Sequence, residues 1–193
     1  MNLSVDTIVN IDASDIDYLS DSIFFVGCTR HCKYCHNPGL WDIKDDCDLT
    51  ISQIVSTVVC DHVCYMGGEP MEQPLTKLLG LTDILSAKEK HITMFTSYYE
   101  RLAEGSVEHQ IIEQIDHVHY HMTENIVPTY ADSVCIVSSE VRSFRFLDTI
   151  SQSHLDRVYL RTGHTDDDMD MWMLENYCEK LGLISIVDGV VEV

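Results

Sequence analysis

Basic residues are scarce in this chain: 12 Lys and Arg stand against 32 Asp and Glu, giving a formal net charge of -20. Contact with a nucleic-acid backbone needs Lys and Arg at the phosphates, so a DNA or RNA polymer is disfavoured as a direct partner. The acidity itself has two readings, general solubility or an acidic docking face for a basic partner. There is also no apolar run long enough to cross a bilayer, and the N-terminus lacks the basic and apolar layout of a signal peptide. The expectation is a cytoplasmic protein with no membrane association. Internal repeats and low-complexity linkers are absent too, and 193 residues suit one domain with a sizeable core. Residues 1–193 are therefore read as a single domain.

A fourth clustered cysteine is the most telling lack. The stretch FFVGCTRHCKYCHNPGLW places Cys28, Cys32 and Cys35 in CxxxCxxC spacing on one short loop. Iron-sulfur clusters are normally held by four Cys, so three on one loop imply an iron with no protein ligand, open to a small molecule. The flanks suit such a loop, because Ile23 to Val26 is a short apolar β-rich run and Gly27 permits a sharp turn. Zinc is the rival, with His31 or His36 as the fourth ligand, although structural zinc usually shows two separated ligand pairs. The other cysteines, Cys47, Cys60, Cys64, Cys135 and Cys178, show no comparable spacing. Cys60, Cys64 and Cys135 read as small core residues.

The cysteine stretch resembles the cluster loop of the radical S-adenosylmethionine (SAM) superfamily, CxxxCxΦC with Tyr34 as the aromatic Φ. Downstream, Tyr65-Met66-Gly67-Gly68-Glu69-Pro70 resembles the GGEP motif of the same superfamily. The resemblance implies that Cys28, Cys32 and Cys35 ligate a 4Fe-4S cluster, that Tyr34 lies near the adenine of SAM, and that Gly67, Gly68 and Glu69 line its methionine end. Without the cysteines, Gly67 to Pro70 would read as an ordinary strand-to-helix turn, with Glu69 and Glu72 near a helix N-terminus.

YCHNP, Trp41, GGEP and Met94-Phe95-Thr96-Ser97-Tyr98 look most like the activating enzymes of glycyl radical enzymes, namely the pyruvate formate-lyase activase and the anaerobic ribonucleotide reductase activase. That implies cleavage of SAM to a 5'-deoxyadenosyl radical, which takes a hydrogen atom from a glycine of a partner enzyme. It also implies an electron donor such as flavodoxin or ferredoxin. Beyond about residue 100 the resemblance fades, which leaves open a radical SAM synthase acting on a small molecule, such as the 7-carboxy-7-deazaguanine synthases. A non-catalytic iron-sulfur module that carries electrons is the reading from another class; it has no need of Gly67, Gly68 and Glu69.

Along the chain, strand and helix patterns alternate. Strands are expected at Ile23 to Val26, His62 to Met66, His91 to Thr96, His117 to Met122, Ser133 to Val137, Arg157 to Arg161 and Leu183 to Val187. Helices are expected after a Thr50 cap, from about Glu72 to Ser86, in a stretch running to about Gln114 with a break at Gly105, and at Met169 to Leu181. Such alternation implies parallel βα units and an α/β fold. The resemblance sharpens this to a partial TIM-type (β/α)6 barrel of the radical SAM type, or a trimmed version, with both motifs at C-terminal strand ends.

His117, His119 and His121 share one strand face and are candidates for a substrate pocket or an accessory metal, against the alternative of a solvated polar face. His31 and His36 are further candidates for contact with the cluster or SAM. Arg142 and Arg145 either meet the SAM carboxylate or form surface ion pairs. Asp166 to Asp170 read as the acidic first turn of a helix capped by Thr165.

Overall fold

Side chains alternating with a period of two organise the strands beside the motifs. The structure is a computed structural model that describes residues 2–12, 18–32, 35, 37–43, 47–98, 102–121, 129–137 and 157–161. It divides into two compact units, Met1–Val118 and His119–Val193.

In the first unit, β2 (Ser20–Phe25) pairs in parallel with β4 (His62–Gly67), and β4 pairs in parallel with β5 (His91–Thr96). Register places Ile23 beside Tyr65 and Tyr65 beside Met94. These residues, with Phe25, Val63 and Ile92, are fully buried on one face. The same core takes in Ile54 of α1 (Ile51–Thr57), Leu78, Leu81 and Leu85 of α2 (Leu75–Ala87), and Ile111 of α3 (Val107–Ile112). Burying each large apolar side chain contributes about 1.5–3 kcal/mol. Phe25 meets Tyr65 edge to face at 5.5 Å between centroids, and the Tyr65 hydroxyl lies 3.3 Å from Thr82 Oγ1 of α2. The opposite face carries Ser22, Cys64 and Thr93 in one row, with Phe24 beside Met66 in the next.

The expected strand bounds hold for β5, and for β7 (Ser133–Val137) and β8 (Arg157–Arg161), which pair in parallel in the second unit; β4 runs one residue past the expected Met66, and β2 starts at Ser20 rather than Ile23 and ends at Phe25. There, residues His119 to His121 of β6 (His117–His121) run parallel to the start of β7. Thr50 caps α1 with a full capping box, its Oγ1 accepting from Gln53 N while Gln53 Oε1 accepts from Thr50 N.

Three larger features differ from expectation. A strand the sequence reading lacks, β1 (Leu3–Asp12), lies antiparallel to β2 and to the short β3 (Asp48–Leu49), so this unit's sheet runs β3-β1-β2-β4-β5. Helix α2 begins at Leu75 rather than Glu72, because Pro70 opens a 3-10 turn and Pro74 holds the preceding Gln73 extended at ψ 164°. Helix α3 is confined to six residues behind a Ser106 cap, since Gly105 takes φ +75°. Tyr34, His36, Arg142, Arg145, Asp166 to Asp170, Cys178, the helix Met169 to Leu181 and the strand Leu183 to Val187 lie outside the described residues.

Candidate active site

Both sequence motifs sit at the C-terminal ends of neighbouring parallel strands, in the first unit. Phe25 at the end of β2 is in register with Gly67 at the end of β4, and beyond that pair the two chains continue to bond. Gly68 N donates to Phe25 O at 2.8 Å and Glu69 N donates to Gly27 O at 2.9 Å. The contact is so close that a Cβ on Gly67 would lie 2.7 Å from Phe25 O, and one on Gly68 would lie 2.5 Å from Gly27 O. Gly67 also takes φ +98°, a region costly for any L side chain. The two glycines thus bring the GGEP turn directly against the start of the cysteine loop.

The loop is anchored from behind by the returning segment 38–41. Gly27 N donates to Leu40 O and Cys28 N to Trp41 O, both at 2.9 Å. Val26, Leu40 and Cys47 are buried together, with Phe24 packed on them. At the far end, Cys35 N donates to Cys32 O at 3.1 Å, and Cys35 Sγ accepts from Asn37 N and Trp41 Nε1, both at 3.3 Å. The Trp41 ring also stacks on His31 at 4.6 Å, and His31 itself takes φ +44°.

Cys28, Cys32 and Cys35 are partly exposed thiols. Burial pushes the Cys28 thiol up; the nearby Glu69 and Glu72 carboxylates add to this, and backbone N–H groups of Arg30 and His31 oppose it. A cationic metal offsets that cost by taking the thiolate. Among the described residues no three His, Cys, Asp or Glu side chains are grouped to hold a single metal ion; thiolates that each take a different iron of a cubane need no such common point.

Glu69 is 2% exposed. Its Oε1 accepts from Met71 N at 3.1 Å and from Thr96 Oγ1 at 2.5 Å, and its Oε2 accepts from Ser97 N at 2.7 Å. A carboxylate offers about four acceptor positions, so the bonds from the described residues leave one on Oε2 for a donor such as an ammonium group. Burial pushes the Glu69 carboxyl up to about 7 against the hydrogen bonds of Thr96, Ser97 and Met71.

Thr96 and Ser97, at the end of β5, are site residues the sequence reading did not single out one by one, although it marked the segment Met94 to Tyr98. Two other residues carried no functional signal at all. Glu72 accepts from Thr29 N at 2.8 Å and from Thr29 Oγ1 at 2.6 Å, and lies 3.7 Å from Arg30 Nε. The Arg30 guanidinium in turn stands 5.8 Å from the Tyr98 ring centre. Gln73, 5% exposed, donates to Val26 O at 2.7 Å and accepts from Ser4 N at 3.0 Å, tying β1 to the end of β2.

Elsewhere, His117, His119 and His121 do share a face of β6, alternating with the buried Val118 and Tyr120. Burial holds His121 below the usual imidazole range. Cys64 is a fully buried core residue as expected, whereas Cys60 is only half-buried, in the bend before β4.

The family described as "4Fe-4S single cluster domain" matches residues 19–122, more than half of the chain. Among curated proteins, the pyruvate formate-lyase-activating enzyme of Clostridium pasteurianum is 31% identical over 61 residues, covering 27% of this chain and 26% of that protein. The same enzyme of Staphylococcus aureus (strain USA300) is 29% identical over 80 residues, 36% of this chain and 31% of that protein. The chain thus spans about a third or less of the length of these relatives. Among solved structures, QueE from Escherichia coli superposes with a TM-score of 0.63 at 14% identity, covering 97% of this chain and 94% of that one. That likeness bears out the expected fold, an α/β fold of the partial TIM-barrel type. No helix among the described residues is long and apolar enough to cross a membrane. The chain belongs to the 4Fe-4S single cluster domain family and, through its CxxxCxxC and GGEP loops, to the radical SAM superfamily, with a 4Fe-4S cluster and S-adenosylmethionine as cofactors.

Proposed function

We propose that this chain works as one radical SAM domain, residues 1–193, that generates a glycyl radical on a partner enzyme resembling anaerobic ribonucleotide reductase. Cys28, Cys32 and Cys35 would hold the cluster, Gly67, Gly68 and Glu69 would receive the methionine end of SAM, and the superfamily resemblance implies a role near the adenine for Tyr34, which lies outside the described residues. The cofactors supply the hard chemistry, in which one electron from the reduced cluster splits SAM into methionine and a 5'-deoxyadenosyl radical.

One observation carries this reading: the buried Glu69 carboxylate, with one acceptor position left, is fixed by Thr96 and Ser97 directly beside the start of the cysteine loop. The carboxylate orients the amino group of SAM, and the glycine turns fix where that group sits relative to the three thiolates. Ser97 lies in the segment Met94 to Tyr98, which resembles the ribonucleotide reductase activase, and the curated relatives named above are activating enzymes. An electron donor such as flavodoxin or ferredoxin completes the cycle.

A second reading, a radical SAM synthase acting on a small molecule, is favoured by the likeness to QueE across nearly the whole chain. The histidine face of β6 supplies it with candidate substrate contacts.

The deciding experiment is anaerobic turnover of reconstituted protein with SAM, reductant and a candidate glycyl radical enzyme, followed by EPR. A glycyl doublet on the partner protein supports the activase. Formation of 5'-deoxyadenosine with a modified small molecule, and no protein radical, replaces it with the synthase.

A further inference from the structure

We propose that Trp41 sets the reduction potential of the cluster through its indole N–H bond to Cys35 Sγ. The inference rests on the reading that Cys35 is a cluster ligand.

The sulfur accepts two N–H groups at 3.3 Å, one from the Asn37 main chain and one from Trp41 Nε1. Any residue but proline at position 37 supplies the first; only a side chain with a donor at that reach supplies the second. The indole is held there by contacts that do not involve the sulfur. The Trp41 main-chain carbonyl accepts from Cys28 N at 2.9 Å, and the Trp41 main-chain N–H donates to Pro38 O at 3.4 Å, closing the turn Pro38–Leu40. Its ring lies against His31 at 4.6 Å, 22° from parallel. Trp41 thus touches the cysteine loop near its beginning, its middle and its end, and the donor direction is set by packing rather than by the sulfur.

Reduction adds negative charge to a cluster, and part of that charge resides on the ligating sulfurs. An N–H dipole aimed at such a sulfur favours the reduced state and raises the potential, as hydrogen bonds to cluster sulfurs generally do. The consequence for this protein is a cluster that accepts an electron from a weaker donor than the same loop without the indole. Trp41 acts here through Cys35, as a positioning residue for the cluster.

The test uses full-length reconstituted protein and a redox titration followed by EPR. Trp41→Phe keeps a ring against His31 and removes the donor. We expect its cluster to form and its reduction equilibrium constant to fall about threefold to tenfold, or about 30–60 mV lower at 59 mV per tenfold for one electron. Gly39→Ala alters the same returning turn, meets nothing within 4 Å and leaves both the ring and its donor, and should leave the potential close to the wild-type value. An intact Trp41→Phe cluster with an unchanged potential would overturn the proposal, and so would an equal fall in Gly39→Ala, which would assign the effect to disturbance of the turn. A measurement on the wild type needs no variant: electron–nuclear double resonance of the reduced cluster should show an exchangeable indole proton coupled to it, lost on transfer to deuterated buffer. Its absence would also overturn the proposal. Failure of the wild-type protein to form any 4Fe-4S cluster would remove the cluster reading itself, a result distinct from a cluster with an insensitive potential.

Discussion

Thr96 Oγ1 donates to Glu69 Oε1 at 2.5 Å, joining the end of β5 to the turn that follows β4. The same hydroxyl accepts from Tyr98 N at 3.0 Å, so its hydrogen is committed to the carboxylate. Glu69 is therefore held from two sides before any ligand arrives, and its remaining acceptor position has a fixed direction.

From this arrangement follows a dependence of SAM binding on pH. Only the ionised Glu69 has an acceptor to spare for the amino group of SAM, and burial places its carboxyl at about 7. Affinity measured by calorimetry should therefore rise with pH through about 7 and level off above it. Glu69→Ala should weaken binding about 10- to 100-fold, on the order of the 1.5–3 kcal/mol of a hydrogen bond to a charged group. Glu69→Gln should lose the pH dependence. Unchanged affinity in both variants would remove Glu69 from the site.

The raised Glu69 carboxyl also has a stability consequence in the apoprotein. Its folded value, about 7, exceeds the ordinary 4.5, so its contribution is fully present below about 4.5 and is lost as pH rises through 7. Chemical denaturation should show about 3 kcal/mol more pH-dependent loss between pH 4.5 and 8 in the wild type than in Glu69→Gln. Parallel curves for the two proteins would contradict the burial argument.

Gly68 and Gly39 make a matched pair. A Cβ on Gly68 would stand 2.5 Å from Gly27 O, whereas one on Gly39 would meet nothing within 4 Å. Gly68→Ala should cost about 1–3 kcal/mol or more, in line with forced overpacking, and should impair cluster retention. Gly39→Ala should stay within about 0.5 kcal/mol of the wild type. Thermal unfolding and iron content of the two variants decide the matter.

Glu72 holds the cysteine loop through Thr29, and its removal leaves two donors without their acceptor. Both bonds are exposed to water, so Glu72→Ala should cost only about 0.5–1.5 kcal/mol and speed iron loss to a chelator. Glu72→Gln, which keeps an acceptor oxygen, should fall between the two. Equal rates in all three proteins would mean that the contact does not steady the loop.

Among the cysteines, Cys32→Ala should abolish both the iron-sulfur absorbance and SAM cleavage, while Cys178→Ala leaves them nearly intact. Equal losses in the two would undo the ligand assignment.

What could be read from the sequence was local. Strands β4, β5, β7 and β8 announce themselves by apolar β-rich runs, and Thr50 with Gln53 spells a capping box. The cysteine spacing and GGEP carried the site because their chemistry is written in consecutive residues. Strand β1 was not legible: beyond Val5 its residues are mostly exposed, so the alternation that marks a half-buried strand is missing. Glu72 and Gln73 were not legible either, because their partners, Thr29, Val26 and Ser4, lie 43 to 69 residues away. Only the folded chain brings such pairs together.

The backbone contact between Gly68 and Gly27 alters what a glycine pair after β4 means in chains of this kind. In this chain the pair reports first that two loops touch, because a Cβ on Gly68 would stand 2.5 Å from Gly27 O whether or not a ligand lies nearby. The constraint on Gly68 would therefore outlast the loss of all three loop cysteines.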